Sequence, residues 1–184
     1  MKYIWEILGR RELLGLTTVG LAFACHGDSG GLEQSVEEDA EATSRQSKVE
    51  KAISLLGKYH SCCTAVFATY APELGIKELL AARLTQGMPG IGCSGNVCGT
   101  VSGAALVIGL KTTNEDNIDN WESCQMTCEM IREFIDKFED IYQSTQCKDI
   151  LGQDISSREK FKSAVEKGYF AQCPKVIEDA VNIL

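Results

Sequence analysis

Apolar residues recur at helical spacing through most of the chain, and no stretch sustains the alternation of a half-buried strand. Ala52, Ile53, Leu55, Leu56, Tyr59, Cys62, Cys63, Val66, Phe67 and Tyr70 predict a helix over residues 48–70, which Pro72 and Gly75 stop. A shorter helix is expected over 76–84. The periodicity then breaks at a glycine-dense stretch from Gly87 to Gly103. Val97, Val101, Ala104, Ala105, Val107, Ile108 and Leu110 leave almost no polar face, so a helix over 97–110 is expected to be buried all round. Glu115, Asp116 and Asp119 favour a helix start. From there Ile118, Trp121, Met126, Met130, Ile131, Phe134, Ile135, Phe138, Ile141 and Tyr142 predict a long helix to residue 144, with Trp121, Phe134, Phe138 and Tyr142 in the core. A helical turn is expected over Cys147–Leu151. Ser156 and Glu159 form a capping box for a helix to Lys167, and Pro174 suits the first turn of a last helix over 175–184. The chain is therefore expected to be all-α, a compact packing of five or six helices with a Gly/Cys-rich loop.

The N-terminal part reads differently. Arg10 and Arg11 precede an uncharged stretch from Leu13 to Ala24 that is too short to span a bilayer and ends Ala22-Phe23-Ala24. Residues 1–24 are expected to be a twin-arginine-type signal segment, with a short buried helix as the alternative. Such a segment implies export to the periplasm or the outer face of the cytoplasmic membrane. Cys25, directly after the junction, is a candidate lipid attachment site. Residues 25–47 are polar and acidic, without an aromatic residue, and are expected to form a solvated linker before a domain over 48–184.

A net charge of −8 repels phosphate backbones and anionic headgroups, so nucleic acid is not an expected partner. The membrane is expected to be met only through the signal segment or a lipid on Cys25. The nine cysteines carry the candidate chemistry. None is spaced Cys-x-x-Cys, which excludes covalent c-type haem and thioredoxin-like sites. His60 is the only histidine within the domain, so no Cys/His catalytic set can be built, and a ligand role for it is secondary to a plain surface role.

Four segments together carry a resemblance. They are Cys62-Cys63-Thr64-Ala65-Val66, then Cys98-Gly99-Thr100-Val101-Ser102-Gly103-Ala104 after the glycine-rich approach, then Cys147-Lys148-Asp149-Ile150-Leu151-Gly152, and Cys173 opening the last helix. Over residues 50–184 this order resembles the C-GCAxxG-C-C family of redox-active proteins, with Thr100 where the family usually has Ala. Members of that family often carry a twin-arginine signal. The resemblance implies a site of Cys62, Cys98, Cys147 and Cys173. Four soft thiolates suit an iron–sulfur cluster of the [2Fe-2S] type, with zinc as the alternative. Gly95, Gly99 and Gly103 would let backbone N–H groups reach the sulfurs and so contribute to cofactor binding.

The expected function is thus electron transfer through such a cluster with an unidentified redox partner protein. Two other readings stand beside it. One is a thiol–disulfide oxidoreductase using Cys62 or Cys63 with Cys98, and the other is a disulfide-stapled module without catalysis. Cys63, Cys93, Cys124 and Cys128 fall outside the family set, with two disulfides as their simplest use.

Overall fold

The computed structural model describes residues 30–184, with side chains from residue 41 onward. The expected signal segment and Cys25 lie outside the described residues. Eight α-helices run in chain order: α1 (Gly30–Tyr59), α2 (Cys62–Tyr70), α3 (Glu78–Thr85), α4 (Gly99–Thr112), α5 (Trp121–Tyr142), α6 (Cys147–Leu151), α7 (Arg158–Glu166) and α8 (Cys173–Ile183). A 3-10 turn over Tyr169–Gln172 leads into α8. Residues Gly90–Cys93 bond like one helical turn, but Ile91 and Gly92 have non-helical backbone angles, so the segment belongs to the glycine-rich loop. The all-α class holds, whereas the expected number of helices was too small. Residues Val36–Leu184 form one compact unit. No described helix is long and apolar enough to cross a membrane.

The helix expected over 48–70 is two helices. His60 adopts a left-handed φ of 53° and Ser61 caps α2 by accepting from the Thr64 N–H at 3.2 Å. The apolar stripe runs across this break because both helices face the same core, so periodicity alone does not reveal it. In the other direction α1 reaches back to Gly30, through much of the stretch read as linker, where glutamate and alanine favour helix by propensity. The α7 cap is Ser157, which accepts from the Lys160 N–H, one residue after the expected Ser156.

α2 and α4 form the closest helix pair, and α3, α5 and α8 pack around them. Ala65, Val66, Ala68, Ala104 and Val107 are fully buried where α2 meets α4. Small residues bring the two backbones close. A Cβ on Gly103 would lie 2.8 Å from the Cys63 carbonyl oxygen and 3.0 Å from Val66 Cβ. α4 is not buried all round, since Leu106 and Leu110 emerge from the core. Phe134, Phe138 and Tyr142 hold the core side of α5 as expected, but Trp121 is 71% exposed and is not a core residue. A smaller core of Leu151, Ile155 and Ala164 is built with Cys147, Phe161, Phe170 and Cys173 around the last three helices.

Candidate functional site

Each of the four cysteines named by the resemblance sits at the start of a helix. Cys62, Cys147 and Cys173 are the first residues of α2, α6 and α8, and Cys98 is the N-cap of α4. Sequence reasoning placed Cys62 late in a helix; the break at His60 puts it at a beginning instead. Gly99 is what lets α2 and α4 meet here. A Cβ at Gly99 would overlap Cys62 Sγ and lie 2.9 Å from Pro89 Cα and 3.0 Å from the Cys63 nitrogen. A backbone clasp adds Cys147, because the Cys98 N–H donates to Thr145 at 2.8 Å and the Cys147 N–H donates to Asn96 at 2.7 Å. These bonds form an isolated antiparallel bridge between Val97 and Gln146.

The cysteines differ in charge state. The sulfurs of Cys62 and Cys98 are paired, and this pairing together with the N–H groups of Thr100 and Val101 holds the Cys98 pKa down, to about 7. The same pairing, with burial, pushes Cys62 well up. Burial first, and the Cys98 charge second, push Cys147 up to about 12 and Cys173 up to about 11. Cys98 gathers the most donors and alone is lowered, so its thiolate forms first and its charge opposes the ionisation of the others. Three of the four expected ligands therefore favour the protonated thiol.

Thr100 sharpens this arrangement. Its hydroxyl is buried at 1% exposure without a conventional hydrogen-bond partner, and it lowers the Cys98 pKa. The residue that departs from the family pattern is thus turned toward the thiolate. Thr100→Val keeps the shape and removes the hydroxyl. It is expected to raise the Cys98 pKa in an ultraviolet thiolate titration, while stability holds or rises because no unpaired buried hydroxyl remains.

Beside the pair lies a cavity of about 580 Å³. Its walls are mostly apolar, including Ile53, Leu56, Phe161 and Phe170, and Cys62, Cys93 and Cys173 open onto it. His60 also lines it, its position fixed by the left-handed backbone before α2. Cys98 is 6% exposed and stands behind Cys62.

Comparison with known families matches residues 60–184 to the family described as "Putative redox-active protein (C_GCAxxG_C_C)". The chain belongs to this family. No curated protein and no solved structure matches it. The C_GCAxxG_C_C match begins at residue 60 and so lends nothing to the signal segment expected over residues 1–24.

The expected cofactor is corrected. Among the described residues no group of three or more His, Cys, Asp or Glu side chains is placed to hold a metal ion. Cys62, Cys98, Cys147 and Cys173 are close enough to feel the charge on Cys98, but they do not converge on one centre as an iron–sulfur cluster or zinc requires. Gly99 and Gly103 serve close helix packing and Gly95 lies against Lys148 and Ile155, so these glycines shape the site through the backbone.

The remaining cysteines are also not as expected. All eight described cysteines are free, so none of the anticipated disulfides is present among them. Cys63 is fully buried and pushed up to about 12 by burial, which makes it unreactive. Cys124 and Cys128 are exposed on α5. Cys93 enters the site through the cavity wall, and its spacing gave no sign of this.

These shifts give opposite pH dependences. Thiols raised on folding favour the fold fully below the ordinary cysteine value of about 8.5 and lose that contribution as pH rises toward their folded values. For Cys63, Cys147 and Cys173 that loss extends to about 11–12. Cys98, whose pKa is lowered, contributes above its unfolded value and loses the contribution as pH falls through about 7. Calorimetry of the reduced protein is expected to show Tm falling as pH rises from about 9 to about 11, because the raised thiols ionise first in the unfolded chain while the Cys98 contribution is already complete.

Proposed function

We propose that this protein is a thiol–disulfide oxidoreductase whose redox pair is Cys62 and Cys98. The supporting observation is the pairing of a cavity-facing thiol with a buried sulfur of lowered pKa at the contact of two helix starts. A thiolate is the attacking species in disulfide exchange, and the thiol of lower pKa is the better leaving group. The arrangement separates these tasks between an accessible sulfur and a stabilised one.

The reaction starts from Cys62 as thiol and Cys98 as thiolate. The proton passes along the hydrogen bond from Cys62 Sγ to Cys98 Sγ, and the Cys62 thiolate attacks a disulfide of the partner presented at the cavity. A mixed disulfide forms at Cys62 as the partner's disulfide breaks, and the released partner thiolate takes the proton from Cys98. The Cys98 thiolate then attacks Cys62 Sγ and expels the second partner sulfur as thiolate. The pair is oxidised by two electrons and the partner disulfide becomes one thiol and one thiolate, so protons and charge balance. In the reverse direction the Cys98 donors favour its departure. The partner is a protein or peptide whose disulfide fits an apolar mouth.

The reading is tested by mixing pre-reduced protein with a small model disulfide. A phase of exchange is expected to accelerate with pH around the Cys98 pKa, and Cys62→Ala is expected to remove that phase, leaving the exchange of the exposed Cys124 and Cys128, and to raise the Cys98 pKa toward the ordinary value. Exchange that survives Cys62→Ala unchanged would refute the assignment.

A further inference from the structure

Cys93 stands outside the redox pair and outside the family's cysteine set, yet it opens onto the same cavity as Cys62. Its loop lies directly on Cys147. A Cβ at Gly90 would be 3.1 Å from Cys147 Cβ and 3.3 Å from its Sγ, so glycine there permits the contact. Cys93 lies close enough for its charge to bear on Cys147, which in turn feels the Cys98 charge. Cys147 is thus near both Cys93 and the buried pair. Gly90, Ile91, Gly92 and Cys93 all have positive φ, and the loop is held by bonds such as Cys93 N–H to Pro89 oxygen at 2.7 Å. Positive φ at the non-glycine residues Ile91 and Cys93 is strained backbone, held by the packing of the loop.

We propose that Cys93 and Cys147 form an outer dithiol that re-reduces the Cys62–Cys98 disulfide. The inference rests on the redox role of that inner pair. The Cys147 thiolate attacks Cys62 Sγ and Cys98 leaves as the thiolate its helix stabilises. The Cys93 thiolate then attacks Cys147 Sγ and expels Cys62, which takes up one of the two protons lost as Cys147 and Cys93 ionised, the other passing to water because Cys98 stays a thiolate. The inner pair gains two electrons and the outer pair becomes a disulfide. An external dithiol reaching Cys93 from the cavity restores it by the same exchange.

The experiment is a redox titration of the full chain with oxidised and reduced glutathione, quenched by alkylation and mapped by mass spectrometry of the linked peptides. Wild type is expected to take up oxidising equivalents in two two-electron steps, giving Cys62–Cys98 and Cys93–Cys147 peptides. Cys93→Ser is expected to lose one step, halving the capacity from four electrons to two, while Cys62–Cys98 still forms. The outer dithiol is overturned if Cys62–Cys98 forms while Cys93 stays fully alkylated throughout, or if Cys147 links to Cys173 instead. Absence of the Cys62–Cys98 peptide would overturn the inner pair, and the relay with it.

Discussion

Replacing Cys98 by serine is expected to stop turnover and to leave the partner covalently attached to Cys62. The Cys62 pKa is raised chiefly by its bond to Cys98, so without that thiolate Cys62 remains able to attack a disulfide. What is lost is the second thiol, held in contact and poised to resolve the intermediate. Loss of a tethered nucleophile removes its effective concentration, so release of the partner should slow by about 10³-fold or more. Non-reducing electrophoresis with a disulfide peptide should show the trapped adduct on Cys98→Ser and not on Cys62→Ala. As a control, Cys124→Ser on the exposed side of α5 should keep wild-type turnover and change stability by no more than about 0.5 kcal/mol.

Gly99→Ala is expected to damage both stability and the redox pair. Its Cβ would overlap Cys62 Sγ and crowd Pro89 and the Cys63 backbone, and two of these three neighbours are main chain that cannot turn aside. Overpacking of this kind costs about 3 kcal/mol, which corresponds to a Tm lower by about 6–12 °C for a chain of this size. The displaced Cys62 would lose its bond to Cys98, and the Cys98 pKa would climb toward the ordinary value. Gly103→Ala separates the two effects. Its Cβ meets the Cys63 oxygen and Val66, so it should lower Tm by a similar amount while the thiolate pKa moves less. Equal pKa shifts in both variants would show that Gly99 has no special part in the pair.

Much of the fold was legible because periodicity reports burial directly. The core residues Phe134 and Phe138 and the buried side of α4 follow from it. Helix boundaries were less legible, because backbone turns at His60 and Gln143 carry no glycine to mark them. Trp121 was misplaced for a related reason. It continues the stripe of α5 but lies at the first residue of that helix, where the core has already ended. The four family cysteines were legible as a set from their order along the chain. Their chemistry was not, because it depends on which sulfur receives the donors. Cys98 receives them from Cys62, Thr100 and Val101, and that asymmetry turns an expected ligand set into one thiolate among thiols. In the sequence Thr100 is only a departure from the family pattern, and burial of its hydroxyl beside the sulfur shows its effect. Cys93 gave no signal, since its place is set by the glycine loop folding over Cys147.

Equilibrium disulfide mapping of the wild-type protein is the most direct measurement. After partial oxidation in a glutathione buffer, alkylation and proteolysis, a peptide linking Cys62 to Cys98 should appear reversibly, with both sulfurs protected from alkylation in step. If Cys62 and Cys98 remain free while other cysteines oxidise, the redox pair is not the one the helix starts of α2 and α4 bring together.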